Sequence, residues 1–179
     1  LHRQGAGYVG RHAPDFMRTK DKWFRGVELG YGPDGGVYVL DWSDIGECHE
    51  NDGIHRTSGR VFKITHGKAK PVTGDLRKLS SPDLAKLQIH GNDWHVRQAR
   101  RLLQERAVVG RADIAQAQKI LRGIYSKSSS IPHRLRAMWA LNVTGSLDEG
   151  WLLKQTHADN EHIRVWAIKL LNDSGTPSA

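Results

Sequence analysis

The hydrophobic pattern of this 179-residue chain changes its period near residue 70, and no other feature constrains the fold as strongly. Before that point apolar residues alternate; after it they recur every three or four positions. Within 24–65, "FRGVEL", "VYVLDW" and "GRVFKIT" read as short strands. Val37, Val39 and Asp41 are expected on one face, with Tyr38, Leu40 and Trp42 on the other. "GPDGG" between the first two strands is a turn, since Pro33 presets φ, Asp34 bonds its own backbone and a glycine supplies positive φ. "HGKAKPVTGD" over 66–75 breaks both periods and reads as a linker.

From Ser80 onward the spacing predicts six helices, paired as 81–90 with 93–107, 112–126 with 131–143, and 147–157 with 160–173. Ser81-Pro82-Asp83 supplies a helix start, Asp93 a cap for the second helix, and Pro132 opens the fourth. Ile163, Trp166, Ala167, Leu170 and Leu171 follow the i, i+3, i+4, i+7, i+8 rule of a one-sided apolar stripe. Gly110, Gly145 and Gly175 stand where helices should stop. "RLRAMWAL" from Arg134 aligns with "RVWAIKLL" from Arg164, and "HVRQARRLL" from His95 with "HIRVWAIKLL" from His162. Helical hairpins of this length stack into an α-solenoid, for which about three units are the minimum; an irregular helical bundle is the alternative.

The expected fold class is therefore α+β. Residues 1–65 form a short antiparallel sheet, 66–79 a linker, and 80–175 an α-solenoid of about three helical hairpins. Three or four short strands bury too little to stand alone and need neighbours on both faces. One blade of a β-propeller meets that description.

Charge follows the same division. Residues 1–75 carry eleven Lys/Arg against ten Asp/Glu, and residues 76–179 carry sixteen against nine. A single cysteine excludes an internal disulfide and, within this chain, the Cys-x-x-Cys-His attachment of c-type haem. No run approaches the length of a membrane-spanning helix. The chain opens on Leu1 with neither an initiator Met nor a signal-peptide pattern, and is expected to be cut from a longer protein.

"DWSDIGECHENDGIH" (Asp41–His55) concentrates the chemistry of the β half. Asp41, Asp44, Glu47, Glu50 and Asp52 repel one another unless a cation lies among them, and Ca²⁺ is the hard ion such oxygens favour. The spacing is not that of an EF-hand. The plainer expectation is a solvated loop whose charges are offset by Arg56, Arg60 or a neighbouring sheet. Zinc on Cys48, His49 and His55 is strained, because Cys48 and His49 are adjacent. A catalytic Cys48–His55 pair is opposed by the anionic surroundings, which disfavour a thiolate. Arg11 and His12 read as part of an ordinary connection. His90, His95, His133, His157 and His162 form no His-x-x-x-His pair.

Arg97, Arg100 and Arg101, with Arg134 and Arg136, make a basic surface on the helices. It reads as a solvated face or a seat for an acidic neighbouring domain. Nucleic acid is the alternative, disfavoured because no aromatic residue is expected on that face, Trp94, Trp139, Trp151 and Trp166 reading as core.

"WFRGVELGYGPDGGVYVLDWSDIGECHENDGIHRTSGRVFKI" (Trp23–Ile64), followed by "NDWHVRQARRLLQERA" (Asn92–Ala107), resembles the large bacterial membrane-bound dehydrogenase proteins of planctomycete type. In that family a β-propeller similar to glucose/sorbosone dehydrogenases precedes HEAT-like repeats and often a c-type cytochrome domain. The resemblance implies that this chain is the junction between last blade and HEAT-like repeats. Its partners would be neighbouring blades and domains of the parent, with further proteins held by the repeats. It implies a parent that oxidises a sugar or alcohol outside the cytoplasm with pyrroloquinoline quinone and c-type haem. The fragment itself would hold no cofactor and act as a non-catalytic scaffold; the alternative is an enzyme fragment whose acidic loop contributes a calcium-type cation site.

Overall fold

A computed structural model describes residues 1–5, 7–45, 57–68, 72 and 74–173. The chain divides into two units, 1–31 with 36–66 and 32–35 with 67–179. The class is α+β: among the described residues, small antiparallel sheets are followed by six α-helices.

In the first unit, β1 (His2–Gln4) and β2 (Gly7–Val9) form a two-stranded ribbon. β3 (Gly26–Tyr31), β4 (Val37–Asp41) and β5 (Arg60–Ile64) form an open antiparallel sheet in the order β3-β4-β5. Its register sets Leu29 opposite Val39 and Val39 opposite Phe62, with a bulge between Gly26 and Glu28. Alternation places Leu29, Val39, Phe62 and Ile64 on one face, and Leu40 and Val61 on the other. Val39 and Asp41 are buried while Leu40 and Trp42 are exposed, as the period-two pattern requires. Among the described residues this sheet has three strands, one fewer than the four of a propeller blade, and it does not close.

The second unit is helical. Asp75 caps a 3₁₀ turn over Leu76–Lys78, so the stretch read as linker already carries local structure. The helices are α1 (Ser81–Lys86), α2 (Asp93–Val108), α3 (Ile114–Lys127), α4 (Ile131–Val143), α5 (Glu149–Gln155) and α6 (Glu161–Asp173). Ser80 accepts the Asp83 N–H to start α1, which tightens into 3₁₀ geometry over Leu87–Ile89. The cap of α2 is Asn92 rather than Asp93: its Oδ1 accepts the Trp94 N–H at 2.9 Å, and Asp93 becomes the first helical residue. α2 and α4 end alike, with Gly110 and Gly145 at φ near +70° and a following N–H returned to the helix, Arg111 to Arg106 and Ser146 to Leu141. Gly175 lies outside the described residues.

Consecutive helices pair as α1–α2, α3–α4 and α5–α6, while α1 meets α3, α2 meets α4 and α4 meets α6. One layer thus holds the second helix of each hairpin. The core between the layers is built from Leu84, Leu103, Leu121, Met138, Leu141 and Ile163, all fully buried. Ala99, Ala137 and Ala167 recur at helix contacts, where a small side chain admits close approach. Buried polar groups tie the ends together. Asp113 Oδ2 accepts the Ser81 N–H at 2.8 Å, and Arg106 donates to Ser81 Oγ and to the Arg77 carbonyl. Trp94, Trp139, Trp151 and Trp166 are only partly buried, at the edges of the apolar stripes rather than inside the core.

Candidate functional site

Asp41 closes β4 with its carboxylate turned inward. Its Oδ1 accepts the backbone N–H groups of Arg25 at 2.7 Å and Ser43 at 3.0 Å, and its Oδ2 receives Arg60 Nε at 2.7 Å. Arg60 also reaches Asp21 Oδ2 at 2.6 Å, and its guanidinium lies 5.2 Å from the centroid of the Phe62 ring. Burial works against the charge of Asp41, but the Arg25 and Ser43 N–H groups and the Arg60 guanidinium outweigh it and hold the carboxyl below its ordinary pKa. Asp21 is also held low, by the Trp23 N–H first and by Arg60 second. Ser43 adopts φ +57°, a left-handed conformation supported by its own N–H bond to Asp41. Asp44 is buried beside this turn, its N–H donating to the Trp23 carbonyl at 2.9 Å.

Of the five predicted cation ligands, only Asp41 and Asp44 fall among the described residues; Glu47, Glu50 and Asp52 lie outside them, as do Cys48, His49 and His55. Among the described residues no three His, Cys, Asp or Glu side chains cluster as a metal site would require. Sequence reasoning named Arg60 as a counter-charge but missed Asp21, whose separation of 39 residues leaves no local signal.

The arginines of the helical unit do not form one stripe. Arg136 donates to Asp93 at 3.0 Å and to the His90 carbonyl, linking α4 to the start of α2, and Arg97 lies 3.3 Å from the same Asp93. Arg101 pairs loosely with Glu105 at 3.6 Å and faces a separate cleft. Arg134 lies over the Tyr125 ring at 5.0 Å, and Tyr125 in turn donates to Gln155 on α5 at 2.6 Å. Burial raises the Tyr125 pKa, against the pull of Arg134.

Arg100 differs from the rest. Its guanidinium lies 5.2 Å from the centroid of the Trp139 ring. Trp139 meets Trp166 edge to face at 4.8 Å, and Lys169 stands 4.7 Å from the Trp166 ring. The sequence put no aromatic residue on the arginine face; in the structure two tryptophans hold its centre, because α2, α4 and α6 lie side by side and their stripe edges meet. Desolvation lowers the Arg100 pKa; Asp93 opposes that, while Arg136 and Arg97 reinforce it. Arg100 Nη1 and Trp139 Nε1 are buried and have no hydrogen-bond partner among the described residues.

Nearby, the Asn92 side chain donates to the carbonyls of Gly32 and Pro33, and His95 Nε2 lies 3.1 Å from the Pro33 oxygen, which fixes a proton on that nitrogen. The Asn92 N–H donates to His90 Nδ1 at 2.9 Å, so the His90 ring, tilted against that of His95 at 4.5 Å, accepts there. The "GPDG" turn thus belongs with the helical unit, with Gly35 at φ +79° closing it.

No described helix is long and apolar enough to cross a membrane. No curated protein and no solved structure matches the chain. Residues 1–67 match the model of a family described as a domain of unknown function, DUF7133.

Proposed function

We propose that this chain is a non-catalytic junction, in which a β segment packed between neighbouring sheets is joined to a HEAT-like helical module that binds proteins. The observation that carries the reading is the exposure of apolar side chains on both faces of the three-stranded sheet. Leu29 is 67% exposed on one face and Val61 65% on the other, with Leu40 and Trp42 beside it. A shallow apolar groove of about 570 Å³ runs along the first face, lined by Phe16, Met17, Phe24 and Leu29 among others. Two wet apolar faces are costly, at about 25 cal/mol for each Å² left uncovered, and patches of this kind mark interaction sites. Stacked blades of a propeller would cover both. The resemblance to dehydrogenase proteins supplies the setting: a parent whose propeller oxidises a sugar or alcohol and whose repeats hold other domains.

The test is dye binding by the whole chain. An apolar-surface dye should brighten strongly, and Leu29→Lys with Val61→Lys should each reduce the signal without changing helical content. A chain that leaves the dye dark contradicts the reading. A dye-coupled oxidation assay with glucose and a simple alcohol examines the non-catalytic half; turnover above buffer would overturn it.

A further inference from the structure

We propose that the face formed by Arg100, Trp139, Trp166 and Lys169 across α2, α4 and α6 binds an extended acidic segment of a partner protein. This rests on reading the helical unit as an interaction module and names the chemistry of its partner. Three observations carry it.

The first is continuity. The four side chains run without a break over three successive helices of one layer, each within about 5 Å of the next. Helix axes about 8–10 Å apart put α2 and α6 about 16–20 Å apart, a span that an extended chain covers in about six residues.

The second is charge. Arg97, Arg100 and Arg136 gather around Asp93 at the start of α2, while Lys169 stands four residues before Asp173 at the end of α6. Asp93 is already engaged by Arg97 and Arg136. Arg100 and Lys169 pair with no carboxylate among the described residues and are held by indole rings instead. A ring face does not satisfy the N–H groups of the cation above it as hydrogen-bond donors, and a carboxylate can.

The third is unsatisfied donors. Arg100 Nη1 and Trp139 Nε1 are withdrawn from water without an acceptor, an arrangement that native structures rarely tolerate. A carboxylate docking between Trp139 and Arg100 supplies an acceptor to both after a small side-chain rotation. Extended polypeptide fits better than duplex nucleic acid, because the cations are few and interleaved with aromatic rings rather than arrayed along a phosphate track.

The experiment is fluorescence anisotropy of a dye-labelled oligoglutamate with the whole chain at low ionic strength, beside oligolysine, a neutral Gly/Ser peptide and a short DNA duplex. The expected result is saturable binding of oligoglutamate, weaker binding of the duplex, and loss of affinity by about tenfold in Arg100→Gln. Lys169→Glu, at an exposed position, should give a comparable loss and serves where Arg100→Gln impairs folding. Unchanged affinity in a folded Lys169→Glu overturns the proposal, as does equal or tighter binding of the duplex. Binding of oligolysine or the neutral peptide alone overturns the acidic partner but leaves the interaction module standing. No response to any probe overturns both.

Discussion

The rings of Trp139 and Trp166, contributed by neighbouring helices of one layer, meet edge to face with centroids 4.8 Å apart. This pair joins the second hairpin to the third, with Trp166 also packed against the shared core. Edge-to-face pairs contribute about 0.5–1.5 kcal/mol beyond the area they cover. Trp166→Ala removes the pair and the seat of Lys169, and should lower stability by about 2–4 kcal/mol. Urea unfolding followed by far-UV circular dichroism checks it; a loss below about 0.5 kcal/mol would show that the pair is incidental.

Leu121 lies in the fully buried core of the helical unit. Leu121→Ala should cost about 2–5 kcal/mol, and Leu153→Ala, exposed on α5, should fall within about 0.5 kcal/mol of the parent. Equal effects of the two substitutions in thermal melts would contradict the layered packing.

Asp148 caps α5 through its Oδ1, which accepts the Trp151 N–H at 2.7 Å. A seven-residue helix depends on such an end more than a long one does. Asp148→Ala should cost about 1 kcal/mol, and Asp148→Asn should recover most of it. Hydrogen exchange over 149–155 reads the loss directly.

Asp41 is held below its ordinary pKa in the folded chain, so its ionised form stabilises the sheet at neutral pH. That stabilisation is full above the unfolded carboxylate value near 3.8 and is lost as pH falls through the lower folded value. Protection of the Arg25 and Ser43 amides, both bonded to Asp41 and measured against the intrinsic exchange rate at each pH, should therefore fall below about pH 4. In Asp41→Asn the same amides should exchange at least about tenfold faster at pH 7. Rates that ignore both changes would show that these bonds do not hold the strand.

The helical half is legible in the sequence to within a residue or two, because one-sided apolar stripes, caps and stop glycines agree there. The structure replaces Asp93 by Asn92 as the cap, a choice between adjacent capping residues that only the backbone decides. The strands too are legible from alternation. The Arg60–Asp41–Asp21 cluster is not, since its members are 19 and 39 residues apart. Nor is the Trp139–Trp166 pair: periodicity puts both indoles on or near an apolar stripe and reads them as core, but whether they face core, solvent or each other depends on how helices from different hairpins adjoin. The cation reading of the acidic loop rests on residues of which three lie outside the described set.

The central claim is that the helical unit is closed by its own core whereas the sheet awaits cover from outside. Residue-resolved hydrogen exchange of the intact chain tests it most directly. The account predicts that amides within α2 and α4 exchange only by global unfolding, while those of β4 and β5 open at least about a hundredfold more often. Equal protection of strands and helices in the isolated chain would contradict it.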